Sequence, residues 1–333
     1  LNKNMKFMLI AEIGSVHDGS FGNAKKLIEL AAECGADAVK FQTHIPEYET
    51  LKNSPAPEYF NDEPRFDYFK RTSFTLNQWQ KLKDVAKKNK VTFLSSPFSL
   101  EAIDLLEKID LEIYKIPSGE VTNLPLLERI SKLQKPVLLS SGMSNWNELD
   151  DAVKIFKGKV DLTVMQCSSQ YPCKNDQVGL NVISEISSRY KCSVGFSDHT
   201  IGFAAPIAAA AKGAKIIEKH FTFSKKMYGS DAQHSMEPHE FKILSKSLKE
   251  VWEMQDNPVD KNSNLLYVDL KNIFEKSIVT SKSLKAGTTI EMQHLAFKKP
   301  GSGISAANYK NIIGKKLLVD CDKDQQIKEE WLQ

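Results

Sequence analysis

"CSVGFSDHTIGFAAPIAAAAKGAKIIEKHFTF", residues 192–223, sets two short apolar runs on either side of an alanine-rich stretch of helical character. The first run finishes in Ser197, Asp198 and His199, the second in Glu218, Lys219 and His220. Apolar runs this short, joined by a helix, suit parallel strands buried on both faces. If the two strands are neighbours, the two histidines meet at one end of the sheet.

The same alternation extends outward in both directions. "FMLIAEIG" with "GNAKKLIELAAECGA" opens the chain, Gly35 closing the helix. "AVKFQTH" follows, then a long irregular insert from His44 to Ser73, then "TLNQWQKLKDVAKKNK" with Thr75 as its N-cap. "TFLSSPF", "IYKIPSGE", "PVLLSSGM" and "LTVMQCSSQYP" are further strands, each trailed by an amphipathic helix. With residues 192–223 and the helix "EFKILSKSLKEVWEM", eight strand–helix units fill residues 1–255. That count and length predict a closed (β/α)8 (TIM) barrel, typically about 250 residues. A doubly wound open sheet is the rival, but no Gly-x-Gly-x-x-Gly turn follows the first strand. Residues 256–275 lose the repeat and read as a linker, and residues 276–333 read as a small β-rich module.

Bulk composition narrows the function. The 333 residues carry 45 basic and 42 acidic side chains, a net charge of +3, which argues against a nucleic-acid surface built on gross charge. The five cysteines, with no Cys-x-x-Cys pair, suit reduced thiols and a cytoplasmic location. No apolar run reaches the roughly 18 residues a membrane span needs.

In a barrel, active sites form at the C-terminal strand ends. Here those ends carry Glu12, Lys40 and Gln42, Ser95 and Ser96, Lys115, Ser118 and Glu120, Ser140 and Ser141, Ser168 to Tyr171, Ser197 and Asp198. Any one polar strand end has a plain explanation, since strands emerge into water. With Glu218 and His220 at the eighth, all eight ends in concert predict a preorganised polar pocket.

"AEIGSVHDG", "GADAVKFQTH", "SSPF", "YKIPSGE", "LSSGM", "FSDHT" and "EKHF", in this order, resemble the sialic acid synthase family, which includes legionaminic, pseudaminic and spore-coat nonulosonate synthases. The tail "SIVTSKSLKAGTTIEMQHLAFKKPGSGISAANYKNIIGKK" resembles the antifreeze-like (SAF) domain that closes those enzymes. The resemblance implies condensation of phosphoenolpyruvate with an N-acetylated amino sugar, giving a nine-carbon 2-keto acid and phosphate. It implies a divalent metal, Mn²⁺ with Mg²⁺ or Co²⁺ as alternatives, held by His199 and His220. It also implies a homodimer in which the SAF domain of one subunit covers the barrel mouth of the other.

Residue types fit that chemistry. A substrate bearing phosphate and carboxylate needs cations and donors, and Lys40 and Lys115 with the hydroxyls of Ser96, Ser118, Ser140, Ser141 and Ser197 supply them. Two imidazoles suit a borderline cation that polarises an aldehyde. Glu12 matches the family's acid–base carboxylate, with a useful pKa nearer neutrality through burial or a like-charged neighbour. Together, Glu12, Lys40 and Lys115 make up the expected catalytic group. Gln42, Glu120, Tyr171 and Asp231 are expected on the sugar, joined by Lys299 from the partner subunit. Most relatives read Lys-Arg-Pro-Gly where this chain reads Lys298-Lys299-Pro300-Gly301. Schiff-base aldol chemistry on Lys115 or Lys219 is the enzymatic alternative, Lys219 the weaker candidate because strand alternation turns it from the side shared by Glu218 and His220. A non-catalytic carbohydrate-binding protein is the alternative of a different class. His17 and His44 are expected near the mouth, and the insert aromatics Tyr48, Tyr59, Phe60, Phe66, Tyr68 and Phe69 are candidates to shape the sugar pocket.

Overall fold

The computed structural model describes residues 7–55, 63–263 and 265–333. Tyr59 and Phe60 of the insert lie outside the described residues. The chain divides into two compact units, Leu1–Asn257 and Pro258–Gln333.

Eight strands build the first unit: β1 (Met8–Gly14), β2 (Ala38–Thr43), β3 (Thr92–Pro97), β4 (Ile113–Ile116), β5 (Val137–Ser140), β6 (Leu162–Cys167), β7 (Ser193–Asp198) and β8 (Ile216–His220). They pair in parallel in chain order, and β8 closes onto β1. The barrel expected from the sequence is the observed fold. Helices α1 (Phe21–Glu33), α2 (Pro46–Glu49), α3 (Arg65–Thr72) and α4 (Leu76–Lys88) precede β3. After it come α5 (Leu100–Lys108), α6 (Leu124–Ser131), α7 (Trp146–Phe156), α8 (Leu180–Tyr190), α9 (Ala204–Ala211) and α10 (Pro238–Asp256). Thr75 does cap α4: its hydroxyl accepts from the Gln78 amide at 3.3 Å and Gln78 Oε1 accepts from the Thr75 amide at 2.9 Å.

Strand alternation explains how an apolar barrel carries a polar mouth. One set of side chains turns outward to meet the helices, and Leu9, Ala11, Val39, Phe41, Tyr114, Val164 and Ile217 join the apolar helix faces there in the largest core. The other set faces the barrel axis, where Met8, Ile10, Ala38, Leu94, Ile113, Leu138, Met165 and Ile216 form a separate apolar plug. Two residues further along the same strands stand Glu12, Lys40, Ser96, Lys115, Ser140, Cys167 and Glu218, with Ser197 of β7 beside them. The plug gives the polar layer a buried, apolar floor.

The insert read as irregular contains α2 and α3, and α3 buries Phe66, Tyr68 and Phe69. Within the segment read as a linker lies α11 (Val268–Phe274), which buries none of its residues. The second unit pairs β9 (Ser277–Thr280) antiparallel with β10 (Leu295–Lys298) around a core of Ile278, Leu284, Ile290, Leu295, Ile312, Leu317, Cys321 and Ile327. Among the described residues no helix is long and apolar enough to cross a membrane.

Candidate active site

At the C-terminal mouth of the barrel is a cavity of about 550 Å³. Its floor is an ion-pair network. Lys40 Nζ lies 3.0 Å from Glu12 Oε2 and 3.7 Å from Glu218 Oε1, and Lys115 Nζ lies 3.5 Å from the same Glu218 oxygen. Lys115 also donates to Ser140 Oγ at 2.7 Å, and Ser197 Oγ donates to Glu218 Oε1 at 3.0 Å. All four charged side chains are buried. Burial opposes ionisation in each, and their neighbours decide the outcome. Glu218 is held down to about 2, burial being outweighed by Lys115 and Lys40. Glu12 moves the other way: burial raises it, Lys40 offsets part of that, and the charge on Glu218 adds to it. Burial lowers Lys115, whereas Lys40, beside both carboxylates, is raised against the effect of burial.

Two imidazoles stand at the rim, with His199 and His220 ring centroids 5.5 Å apart. His199 Nδ1 donates to the Ser168 carbonyl at 2.8 Å, which leaves Nε2 as its basic nitrogen. Burial lowers His220 to about 4, so its ring is neutral, and its buried Nδ1 has no hydrogen-bond partner. A buried polar atom without a partner is a cost that a bound group would remove. The donor set therefore fits a cation held by two imidazoles, with substrate or water completing it. Among the described residues no cluster of three or more His, Cys, Asp or Glu side chains could hold a metal alone. Tyr171 packs against His199 at a tilt of 33°, ring centroids 4.1 Å apart.

Gln42, Glu120 and Asp231 also line the cavity. Gln42 Nε2 donates to Glu12 Oε1 at 2.9 Å, and Gln42 Oε1 meets His44 Nε2 at 3.1 Å. Glu120 accepts from Asn123 at 2.7 Å, and burial raises its pKa. Asp231 accepts from the Ser15 amide at 3.3 Å, across a gap that only glycine leaves open. A Cβ on Gly14 would stand 2.6 Å from Asp231 Oδ2, and the backbone there has φ +52°. Gly142 serves the same purpose on the other side, since its Cβ would fall 2.2 Å from the hydroxyls of both Ser118 and Ser169.

A model of the NeuB family matches residues 27–260, and one of the SAF domain matches residues 275–332. The chain belongs to the NeuB family. It is 38% identical, over 97% of its own length and 99% of the relative's, to the N,N'-diacetyllegionaminic acid synthase of Campylobacter jejuni. It is 31% identical to the human N-acetylneuraminate-9-phosphate synthase over 97% of this chain and 91% of that one. Among solved structures, the sialic acid synthetase of Leptospira borgpetersenii, in complex with citrate, superposes with a TM-score of 0.71 at 30% identity, covering 80% of this chain and 91% of that one.

Within this NeuB-family barrel, most of the residues singled out from sequence line one cavity: Glu12, Lys40, Gln42, Lys115, Ser118, Glu120, Ser140, Tyr171, Ser197, His199, His220 and Asp231. Two expected anion-binding serines do not. Ser141 turns outward, its hydroxyl on the Met165 carbonyl and Gln166, because it is out of phase with Ser140. Ser96 faces inward but is fully buried beside Lys40, 3.4 Å from its Nζ. Lys219 is also turned away from the cavity. His44 lines the cavity, clasped between Phe69 and Phe98 at ring-centroid distances of 3.6 and 4.1 Å, whereas His17 packs on Phe74 and Phe41. Of the described insert aromatics only Phe69 reaches the cavity, and Tyr48 is exposed. Lys299 belongs to the second unit, where it is exposed with Nζ 5.0 Å above the Phe274 ring.

Sequence reasoning missed Glu218 as the shared partner of both lysines, Cys167, and Arg65. Glu218 and Cys167 were open to the alternation rule. Arg65, at the start of α3, reaches the cavity with a buried Nε that has no hydrogen-bond partner.

Proposed function

We propose that this chain condenses phosphoenolpyruvate with the open-chain aldehyde of an N-acetylated amino hexose, releasing phosphate and forming a nine-carbon 2-keto sugar acid. The observation that carries this reading is the pair of buried ammoniums, Lys40 and Lys115, flanking Glu218 on the cavity floor. A phosphate–carboxylate substrate supplies the anions that such a pair can bind, and Ser118, Ser140 and Ser197 add donors around it. The aldehyde carbon then lies toward His199 and His220. A divalent cation bound there, with Mn²⁺ the first choice over Mg²⁺ or Co²⁺, supplies a Lewis acid for the aldehyde oxygen.

The chain's own groups do the rest. Lys40 and Lys115 hold phosphate and carboxylate so that the methylene carbon faces the aldehyde. The new carbon–carbon bond leaves C2 electron-poor, and water adds there. Glu12, with its raised pKa, gives its proton to the former aldehyde oxygen and takes one from that water. It returns that proton to the phosphate oxygen as the carbon–oxygen bond breaks, and recovers the last from the C2 hydroxyl as the ketone forms. Gln42, Glu120, Tyr171 and Asp231 orient the sugar. The names of the relatives support acetamido-sugar chemistry of the N-acetylneuraminate, legionaminate or pseudaminate kind.

The reading includes a homodimer whose SAF domain covers the partner's barrel mouth and brings Lys299 to the sugar. The exposed apolar residues Leu265, Leu266, Ile273 and Phe274 give a second copy something to cover. Five free thiols, four of them buried, suit a reducing, cytoplasmic setting.

Phosphoenolpyruvate labelled with ¹⁸O at the bridging position, offered with a panel of acetamido hexoses, tests the reaction. The expected result is label leaving with phosphate and no reduced adduct on the protein after borohydride. Absence of phosphate release with every acceptor overturns the condensation. A borohydride-trapped adduct on Lys115 replaces it with Schiff-base chemistry, the alternative that its lowered pKa would favour.

A further inference from the structure

Behind the two imidazoles, on the outer face of the barrel, sits an ion pair that the proposed reaction does not use. Lys219 Nζ lies 2.5 Å from Asp198 Oδ2, and both side chains are almost wholly buried, 1% and 0% exposed. Each directly precedes one of the imidazoles, Asp198 before His199 and Lys219 before His220. Lys219 also donates to the Thr200 carbonyl. Asp198 accepts from the Thr200 amide at 2.9 Å and from its hydroxyl at 3.1 Å. One ammonium on β8 thus grips the end of β7 on both sides of His199.

The position matters because Asp198↔Lys219 is the last backbone pair between β7 and β8. His220 is fixed from the far side, paired with Glu12 of β1, and the Phe221 amide donates to the Glu12 carbonyl at 2.8 Å. His199 is held from the β6 side, by the Cys173 amide on its carbonyl at 2.9 Å and by the Ser168 carbonyl on its Nδ1, with no backbone pair to β8 among the described residues. Where the backbone ladder stops, the side-chain pair takes over the spacing of the two strand ends. Its charges cancel, so it adds no net charge behind the rings.

We infer that Lys219 and Asp198 form a positioning clamp that sets the spacing at which His199 and His220 share one divalent cation. The inference rests on the metal reading above. Groups behind metal ligands commonly alter affinity by about 10–100-fold when removed.

The test is Mn²⁺ binding to the full-length protein, followed by the electron paramagnetic resonance of free Mn²⁺. Two variants are compared with the parent, each with a thermal melt. Asp198→Asn keeps an oxygen for the Thr200 amide but unbalances the charge. Asp198→Asn/Lys219→Met removes both charges, leaves no buried ion unpaired, and so avoids the penalty of a half-broken pair. Both variants are expected to bind Mn²⁺ at least tenfold more weakly than the parent, the double variant while still melting cooperatively. A folded double variant that binds like the parent overturns the clamp, whatever the single variant does, because only charge would then be at work. If the double variant does not melt cooperatively, Asp198→Asn/Lys219→Gln, which likewise removes both charges, takes its place and is read the same way, and unchanged binding in Asp198→Asn also overturns the clamp. A parent that binds no Mn²⁺ overturns the metal reading and the clamp with it.

Discussion

Lys115→Met isolates one of the two cations on which the proposed chemistry depends. Methionine keeps an unbranched chain of similar length and removes the charge. In the parent, Lys115 Nζ donates to Ser140 Oγ at 2.7 Å and lies 3.5 Å from Glu218 Oε1. After substitution Glu218 keeps Ser197 at 3.0 Å and Lys40 at 3.7 Å, so it is not stranded. The stability change should therefore fall below the roughly 3–5 kcal/mol of a buried charge left alone. The loss appears on the substrate. A charge-assisted hydrogen bond is worth about 1.5–3 kcal/mol, which is about 10- to 150-fold in affinity. Titrating phosphoenolpyruvate calorimetrically without acceptor should show a Kd raised by that factor, and steady-state phosphate release should show the KM for the sugar within about threefold of the parent. The pH dependence gives an independent reading. Burial lowers Lys115, and it is the ammonium that binds phosphate, so kcat/KM for phosphoenolpyruvate should fall as pH rises through that lowered value. This limb should vanish in Lys115→Met. Unchanged phosphoenolpyruvate affinity, with the alkaline limb intact, refutes the assignment of Lys115 to the anion.

His199→Ala and His220→Ala should each cut turnover by orders of magnitude, and a chelator should do so reversibly, with Mn²⁺ restoring activity. Full activity in chelator, with no metal found by elemental analysis, would count against the cation. Arg65→Ala removes a cavity donor whose Nε has no partner, and should raise the KM for the sugar by about 10- to 100-fold while sparing phosphoenolpyruvate. An equal rise for both substrates would place Arg65 elsewhere. Lys299→Ala should raise the sugar KM and Lys299→Arg should hold or lower it, since a planar fork offers two donors where an ammonium offers one. Sugar kinetics indifferent to both changes would leave Lys299 a solvated lysine.

The fold was legible because each strand is a short apolar run trailed by a helix, several of them marked at an end, as by Thr75 at the start of α4 and Gly35 after α1. Much of the site was legible for a related reason: in a parallel barrel, sequence parity is spatial side. Parity correctly turned Lys219 away from the cavity, and applied to Ser141 it would have removed that residue too. The same rule marks Glu218 and Cys167 as inward, one step from His220 and Met165. It fails for Ser96, which points inward but is fully buried, because parity carries no information about depth. It is silent on Arg65 and on the close approaches at Gly14 and Gly142. Those depend on where α3 and the loops come to rest, which no local periodicity encodes.

Charge balance ties the two halves of the site together. Lys40 and Lys115 face Glu12 and Glu218, so with both carboxylates ionised the floor is neutral before any ligand arrives. An anion bearing phosphate and carboxylate enters such a floor only if negative charge leaves it or positive charge joins it. Glu218 cannot give way, because the lysines hold it at about 2. Glu12 can, since burial and the charge on Glu218 already raise it, and the approach of a further anion raises it more. On the proposed reading, substrate binding itself loads Glu12 with the proton that the developing sugar alkoxide requires, which frees the carboxylate to act on the water. A cation held by His199 and His220 would supply the other share of compensation. The two buried carboxylates thus divide the work by environment: Glu218 keeps the lysines charged, and Glu12 carries the proton.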